Sequence, residues 1–277
     1  MRGFAFATLL VPASALLLAP ARPAAQGPDG GAQTAQWVAE QIENRDTGRD
    51  SRLQLTMRLF DRQGRMRERS LVLTGLRRPG SATSAGDRVL IRFLAPNDIK
   101  GTGFLVWEHA HADDERFLYL PALGRVRRIA GAEKQESFVG SDLSYEDIGG
   151  REVSDYTYAF AQRDAVWTAP DGRSYPAWQL ESRAVDGQSP YPRTVSLVLK
   201  DNFVVVSAEI FNRRNEREKK YEVRRLEPAS GIWTAMDVLM SNELQRTRTE
   251  LVVTEARYNI GLSEDDFTRR VLEQGVR

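Results

Sequence analysis

From Leu53 onward, apolar side chains fall at every second position, run after run, with almost no helical periodicity between the runs. Leu53, Leu55, Met57 and Leu59 alternate with Arg52, Gln54, Thr56 and Arg58. Successive side chains on a strand point to opposite faces, so this run is a strand with one buried and one wet face. Asp61-Arg62-Gln63-Gly64 turns the chain and Ser70 to Leu76 returns, which makes a hairpin. The pattern recurs at Val89, Ile91 and Phe93, at 104–108 and 116–120, and at Tyr156, Tyr158 and Phe160. It continues at 166–168, 178–180, 195–199, 203–211, 219–226, 232–240 and 247–258. Asp171-Gly172, Asp186-Gly187, Pro190 with Pro192, Asp201-Asn202 and Pro228 with Gly231 stand between the runs, where hairpin loops belong. The class is therefore mainly β, an antiparallel meander. Ten or more strands in series need curvature or closure, since a flat sheet of that size exposes hazardous edges.

Helix is scarce. Thr34 is placed to cap a short amphipathic helix carrying Trp37, Val38 and Ile42 on one face, and Ser263 to cap a final turn or helix. Ala122 to Gly150 shows no period-two run, and a compact domain seldom keeps so long a connection without use. No repeat, low-complexity tract or composition shift divides the rest. Ahead of it, Met1-Arg2 and the uncharged, Ala- and Leu-rich stretch to Ala21 read as a secretory signal peptide, with small-residue cleavage sites at Ala19-Pro20-Ala21 and Ala24-Ala25. The organisation expected is a signal over residues 1–25 and one β-rich domain over 26–277. No cysteine follows the signal, so the usual lipid attachment site is missing, and a periplasmic protein without a lipid anchor is expected.

Composition then removes chemistry. With no cysteine among 277 residues, disulfides, iron–sulfur clusters, thiolate zinc sites and cysteine nucleophiles are excluded. A net charge of +1 argues against a general nucleic-acid binder. His109 and His111 are the only imidazoles and no Gly-x-Ser-x-Gly occurs, so a serine hydrolase lacks its parts. Two imidazoles at i and i+2 on a strand could chelate a metal, but His109-Ala110-His111 reads better as a solvated hairpin tip. Glu146-Asp147 and Glu264-Asp265-Asp266 are adjacent carboxylates, not a pair facing each other across a cleft. Gly101-Thr102-Gly103 lacks the Gly-Lys-Ser/Thr ending of a phosphate loop. The basic stretches at 125–128, 213–220 and 224–225 read as solvated strand faces and tips. What remains is apolar surface, with five Trp and eleven Phe, that a second sheet would cover in a sandwich or a bent sheet would wrap into a hollow.

Three motifs carry a resemblance. Phe93-Leu94-Ala95-Pro96-Asn97-Asp98-Ile99-Lys100-Gly101-Thr102-Gly103-Phe104-Leu105, Leu118-Tyr119-Leu120-Pro121-Ala122-Leu123-Gly124-Arg125-Val126-Arg127-Arg128-Ile129 and Ser137-Phe138-Val139-Gly140-Ser141-Asp142-Leu143-Ser144-Tyr145-Glu146-Asp147 occur in that order. They resemble the outer-membrane lipoprotein-sorting protein family, the LolA-like periplasmic proteins, and within it the branch found beside resistance-nodulation-division (RND) type exporters. The resemblance implies an incomplete antiparallel β-barrel of about eleven strands with helices plugging its mouth, and a hydrophobic cavity for acyl chains. It implies carriage without catalysis or cofactor. The cavity would be lined by Leu55, Met57, Val89, Ile91, Phe93, Trp107, Trp178, Leu197, Val206 and Met236. Phe138, Asp142, Tyr145 and Asp147 would belong to a lid or gate loop. The family's lipoprotein carrier governs its lid with a specific arginine, for which this chain shows no aligned counterpart. Partners implied are lipid or lipoprotein acyl chains, an inner-membrane RND-type exporter and an outer-membrane acceptor; the oligomeric state is not legible.

Two other readings compete. A secreted β-sandwich could bind or cleave glycans with Trp167, Trp178 or Trp233 as a sugar platform. A cavity too small for lipid would leave an adaptor for an exporter.

Overall fold

The computed structural model describes residues 33–77, 85–109, 112–148, 153–187 and 189–274; the expected export signal, residues 26–32 after it and His111 lie outside these. Six strands come first: β1 (Asp50–Phe60), β2 (Met66–Leu76), β3 (Ala85–Ala95), β4 (Gly103–His109), β5 (Glu115–Leu120) and β6 (Arg125–Ile129). Seven follow a long crossing: β7 (Tyr156–Thr168), β8 (Ser174–Ala184), β9 (Arg193–Leu199), β10 (Val205–Phe211), β11 (Arg217–Ala229), β12 (Ile232–Asn242) and β13 (Thr247–Tyr258). Helices are α1 (Ala35–Asn44), α2 (Tyr145–Ile148) and α3 (Arg269–Gln274).

All thirteen strands form one antiparallel sheet in the order β6-β5-β4-β3-β2-β1-β13-β12-β11-β10-β9-β8-β7. Because β1 pairs with β13, the meander joins its own two halves, and its free edges are β6 and β7. Those edges are consecutive in the chain. The segment between them, residues 130–155, must therefore travel from one edge of the incomplete barrel to the other.

Register shows which side chains share a face, since directly opposed residues on neighbouring strands point the same way. One row reads Leu180, Ser196, Ala208, Tyr221, Met240, Thr249, Leu59 and Arg67. Another, on the same face of β1, reads Leu53, Leu73, Ile91, Phe104, Leu118 and Arg127. This inner face carries most of the main core. The opposite face of β3, β4 and β5 carries Leu90, Leu105 and Phe117, covered by Phe267 and Leu272.

Thr34 caps α1 as its sequence predicts, accepting from the Trp37 amide at 3.1 Å. The helix lays Ala35, Val38, Ala39 and Ile42 on Trp178, Leu180 and Val198. Leu180 belongs to the inner row, so α1 sits inside the curve of the sheet. The short α2 is part of the crossing segment, whereas α3 packs on the outer face. Helices thus occupy both sides of the wall, not the mouth alone. The strand number also differs from the expected eleven or so. In particular, Arg125-Val126-Arg127-Arg128-Ile129 has no alternation, yet it forms β6. Its arginines suit an edge, where charge discourages pairing with another chain.

Candidate functional site

The crossing segment lies over the inner face, and its contacts follow the sheet order. The Val139 carbonyl accepts from Arg69 Nη1 of β2. Next, the Asp142 carboxylate accepts from the hydroxyls of Thr247 and of Thr249 on β13, the latter at 2.6 Å, while the Asp142 amide donates to Thr249 Oγ1 at 2.9 Å. Asp147 Oδ2 then stands 3.2 Å from Lys219 Nζ of β11, with both side chains buried. Burial alone would lower the Lys219 amine, but the Asp147 carboxylate and the Tyr191 hydroxyl outweigh it and raise the amine above its ordinary value. Lys219 Nζ also lies 4.9 Å from the centre of the Tyr191 ring. From β2 past β13 to β11, three polar clamps hold one segment.

Around the clamps, Phe138, Leu143, Tyr145 and Ile148 give the segment a buried apolar side. Phe138 is fully buried with its ring 5.9 Å from Phe93, 5.4 Å from Phe104 and 5.6 Å from Tyr145. Burial pushes the Tyr145 phenol up, with Arg127 opposing. At the sharp bend Val139 has φ 49° and Gly140 φ 75°. A β-branched residue resists that left-handed backbone, so the bend stores strain that the Arg69 clamp helps to hold.

Beneath the segment lies an apolar cavity. Its walls are Leu55 and Met57 of β1, Leu71 and Leu73 of β2, Val89 and Ile91 of β3, Tyr221 of β11, Val238 and Met240 of β12, and Thr249 and Leu251 of β13. Phe138, Leu143 and Ile148 of the crossing segment complete it. Its free volume is about 50 Å³. A cavity of about 150 Å³ is what holds a benzene molecule, so this space takes no acyl chain while the three covering side chains stay in place.

The structure brings together Leu55, Met57, Val89 and Ile91 at the cavity wall, with Phe138 above them. Phe93 and Val206 are fully buried in the same core, and Leu197 and Met236 are half-buried against it, but none of these four lines the cavity. Two tryptophans lie elsewhere. Trp107 neighbours the inward Val106 and so points outward, its Nε1 donating to the Phe267 carbonyl at 2.7 Å. Trp178 shares the inner face but is covered by α1. Period-two counting assigns a side chain to a face; it does not tell which helix covers it. Trp167 and Trp178 are buried, so neither offers a ring to a sugar. His109 Nε2 sits 3.3 Å from Glu115 Oε2, and among the described residues no group of three His, Asp or Glu could hold a metal.

Sequence reasoning missed Arg69, Lys219 and Thr249. Arg69 carried a signal, because with Arg67 it falls on the inward side of β2, in register with Met57 and Leu59. An inward arginine at the end of an apolar column needs an acceptor.

A family model described as an uncharacterized protein matches residues 85–274. No curated protein matches the sequence. Among solved structures, a domain from Vibrio parahaemolyticus named for outer membrane lipoprotein sorting is 28% identical, with a TM-score of 0.77 over 87% of this chain and 98% of that one. A DUF1329 family protein from Desulfovibrio piger is 29% identical, with a TM-score of 0.77 over 86% and 97%. The LolA superfamily protein NE2245 from Nitrosomonas europaea, 15% identical with a TM-score of 0.62 over 86% and 98%, shares the fold. Among the described residues no helix is long and apolar enough to cross a membrane. With the matched residues spanning more than half of its length, the chain belongs to the DUF1329 family of uncharacterized proteins and has the LolA-like fold.

Proposed function

We propose that this protein is a periplasmic carrier, freed from its export signal over residues 1–25 and working as one domain, that binds lipid acyl chains between the inner face and the crossing segment. The name of the Vibrio parahaemolyticus relative points the same way. The observation that carries the reading is the cavity itself, a floor of aliphatic side chains with only Tyr221 and Thr249 polar, whose roof is a separate segment pinned by three polar clamps. In the closed form Phe138, Leu143 and Ile148 occupy the space a chain would take. Loading then exchanges their contacts for those of the cargo, and Arg69, Asp142, Tyr145 and Asp147 set how readily the segment leaves. Arg69 would do here what the family's lipoprotein carrier assigns to its own arginine. Each buried methylene is worth about 0.8 kcal/mol, so a sixteen-carbon chain offers on the order of 10 kcal/mol against opening and ordering costs. No catalysis or cofactor is needed; cargo would pass onward to an outer-membrane acceptor, or to or from an RND-type exporter, by partition into a better cavity.

The absence of cysteine makes a clean test available. Asp142→Cys with Thr249→Cys places two thiols where a carboxylate and a hydroxyl now touch. Oxidised, this variant should lose binding of the neutral apolar dye Nile red, and reduction should restore it. Equal dye binding in both states, or none by the unmodified protein, sinks the carrier reading.

A further inference from the structure

In an antiparallel meander every second hairpin turns at the same end of the sheet. The turns between β1 and β2 (61–65), β3 and β4 (96–102), β5 and β6 (121–124) and β12 and β13 (243–246) therefore share one end. Because β1 pairs with β13, they follow one another along a continuous half of the rim. Two of them touch, since a Cβ added to Gly101 would meet Pro121 Cγ at 3.2 Å. Each turn, with the residues flanking it, carries an exposed apolar side chain and an exposed cation: Met66 and Arg62, Leu94 and Lys100, Leu123 and Arg125, Leu244 and Arg246. The four apolar side chains are 41–56% exposed. Among the described residues no carboxylate pairs with any of these four cations. Other arginines at the same rim are held, Arg65 by Asp61 at 2.6 Å and Arg217 by Glu243 at 2.8 Å.

One exposed leucine needs no explanation, but the same combination at four successive turns does. The apolar side chains stand on separate turns, which gives a folded partner no contiguous core to pack against. A bilayer interface needs none: each apolar tip can enter the headgroup region by itself, while each cation meets lipid phosphate. Unpaired cations select an anionic surface. The far end of the barrel differs, for although Val166, Trp233 and Ile260 are exposed there, Glu264, Asp265 and Asp266 follow Ile260 and would be repelled.

We propose that this half of the rim docks the protein on the surface of an anionic phospholipid bilayer, with Met66, Leu94, Leu123 and Leu244 at headgroup depth and the four cations on phosphate. The crossing segment is clamped beside the same turns, by Arg69 of β2 and by Thr247 and Thr249 of β13. Resting on the carrier reading, docking then brings the cover of the cavity to the membrane, where acyl chains would be exchanged.

Flotation of the protein, freed of its export signal, with lipid vesicles tests this. Vesicles of equal parts phosphatidylglycerol and phosphatidylcholine should carry it up the gradient, and vesicles of phosphatidylcholine alone far less. Salt at about 1 M, where the screening length falls to about 3 Å, should release it. Lys100→Gln or Arg125→Gln should each weaken binding about fivefold, the weight of one cation near an anionic surface. Leu94→Asp with Leu123→Asp should abolish flotation, whereas Ile260→Asp at the far end should leave it unchanged. These sites lie outside the cavity, so Nile red binding in solution should persist in every variant and reads the carrier separately. If the unmodified protein ignores anionic vesicles, floats equally with both kinds, or loses as much from Ile260→Asp as from the leucine pair, the docking surface is wrong and the carrier stands on its dye binding. If the unmodified protein floats but binds no dye, the carrier falls and the docking surface stands.

Discussion

Besides α1, the sheet wears two covers, and they are built differently. On the outer face, α3 and the turn before it fit β3 to β5 without slack. A Cβ added to Gly103 would meet Leu272 Cδ1 at 2.6 Å, Trp107 Nε1 bonds the Phe267 carbonyl, and Arg92 Nη2 bonds the carbonyls of Val271 at 2.6 Å and Leu272 at 2.8 Å. On the inner face, the crossing segment stands over a cavity, bends through a left-handed valine and is held by polar clamps at discrete points. Dense packing loses its dispersion energy gradually and everywhere at once, whereas a few clamps can be released one at a time. The outer cover is part of the wall. The inner one is the part that, on the carrier proposal, comes off.

The sharpest way to break this contrast is Asp147→Ala, which leaves Lys219 buried without its carboxylate. Removing one member of a buried pair costs about 3–5 kcal/mol. The loss should fall on closure of the crossing segment: hydrogen exchange should speed up across 136–148 and Nile red should bind more tightly, with α3 still protected. Uniform loss of protection over the whole sheet would show that the two covers are one cooperative unit. Leu272→Ala is the converse. That side chain is fully buried, and its removal should lower global stability by about 2–5 kcal/mol in urea unfolding while dye affinity holds.

How far the contrast was legible in the sequence depends on what each part needs. Alternation at Leu53, Leu55, Met57 and Leu59 is enough to place an inner face, because a one-residue error would turn all four into water. The cavity walls at Val89 and Ile91 follow from the same count. Trp107 and Trp178 do not, since the first lies one residue out of phase with the inward Val106 and the second is claimed by a helix more than a hundred residues away in sequence. The clamps were hardest to see. Asp142 and Asp147 stand in the motif over residues 137–147, but Thr249 and Lys219 sit among ordinary alternating strand residues and become visible only once topology lays the segment across β13 and β11. The crossing itself is a consequence of strand order, and strand order depended on β6, whose arginines hide it from any hydrophobic count.

Smaller changes sharpen the comparison. Arg69→Met removes the donor to the Val139 carbonyl and keeps the aliphatic stem, so closure should weaken by about 1.5–3 kcal/mol, the value of a hydrogen bond from a charged group. Faster exchange around 138–143 and tighter dye binding would register it. Gly140→Ala tests the bend alone. No atom lies within 4 Å of the added methyl, so the whole effect is the left-handed φ of 75°, about 1 kcal/mol against closure once the stiffer unfolded chain is counted. A change in global stability larger than that would place the bend in the wall.

The last effect should be nearly nil where it is easiest to measure. Lys219 is raised above its ordinary 10.5, with the Asp147 charge and Tyr191 overcoming desolvation. A group raised on folding contributes its full share below the unfolded value and loses it as pH climbs through the folded one. Between about pH 7 and about pH 9 the clamp at Lys219 should therefore hold the segment unchanged, and dye affinity should be flat. Above 10.5 the amine begins to lose its proton, the clamp weakens, and exchange across 144–148 should accelerate before the outer helix responds. Opening that already set in near neutral pH would mean that this pair does not hold the segment, and that the inner cover is secured by its apolar side chains in the same way as the outer one.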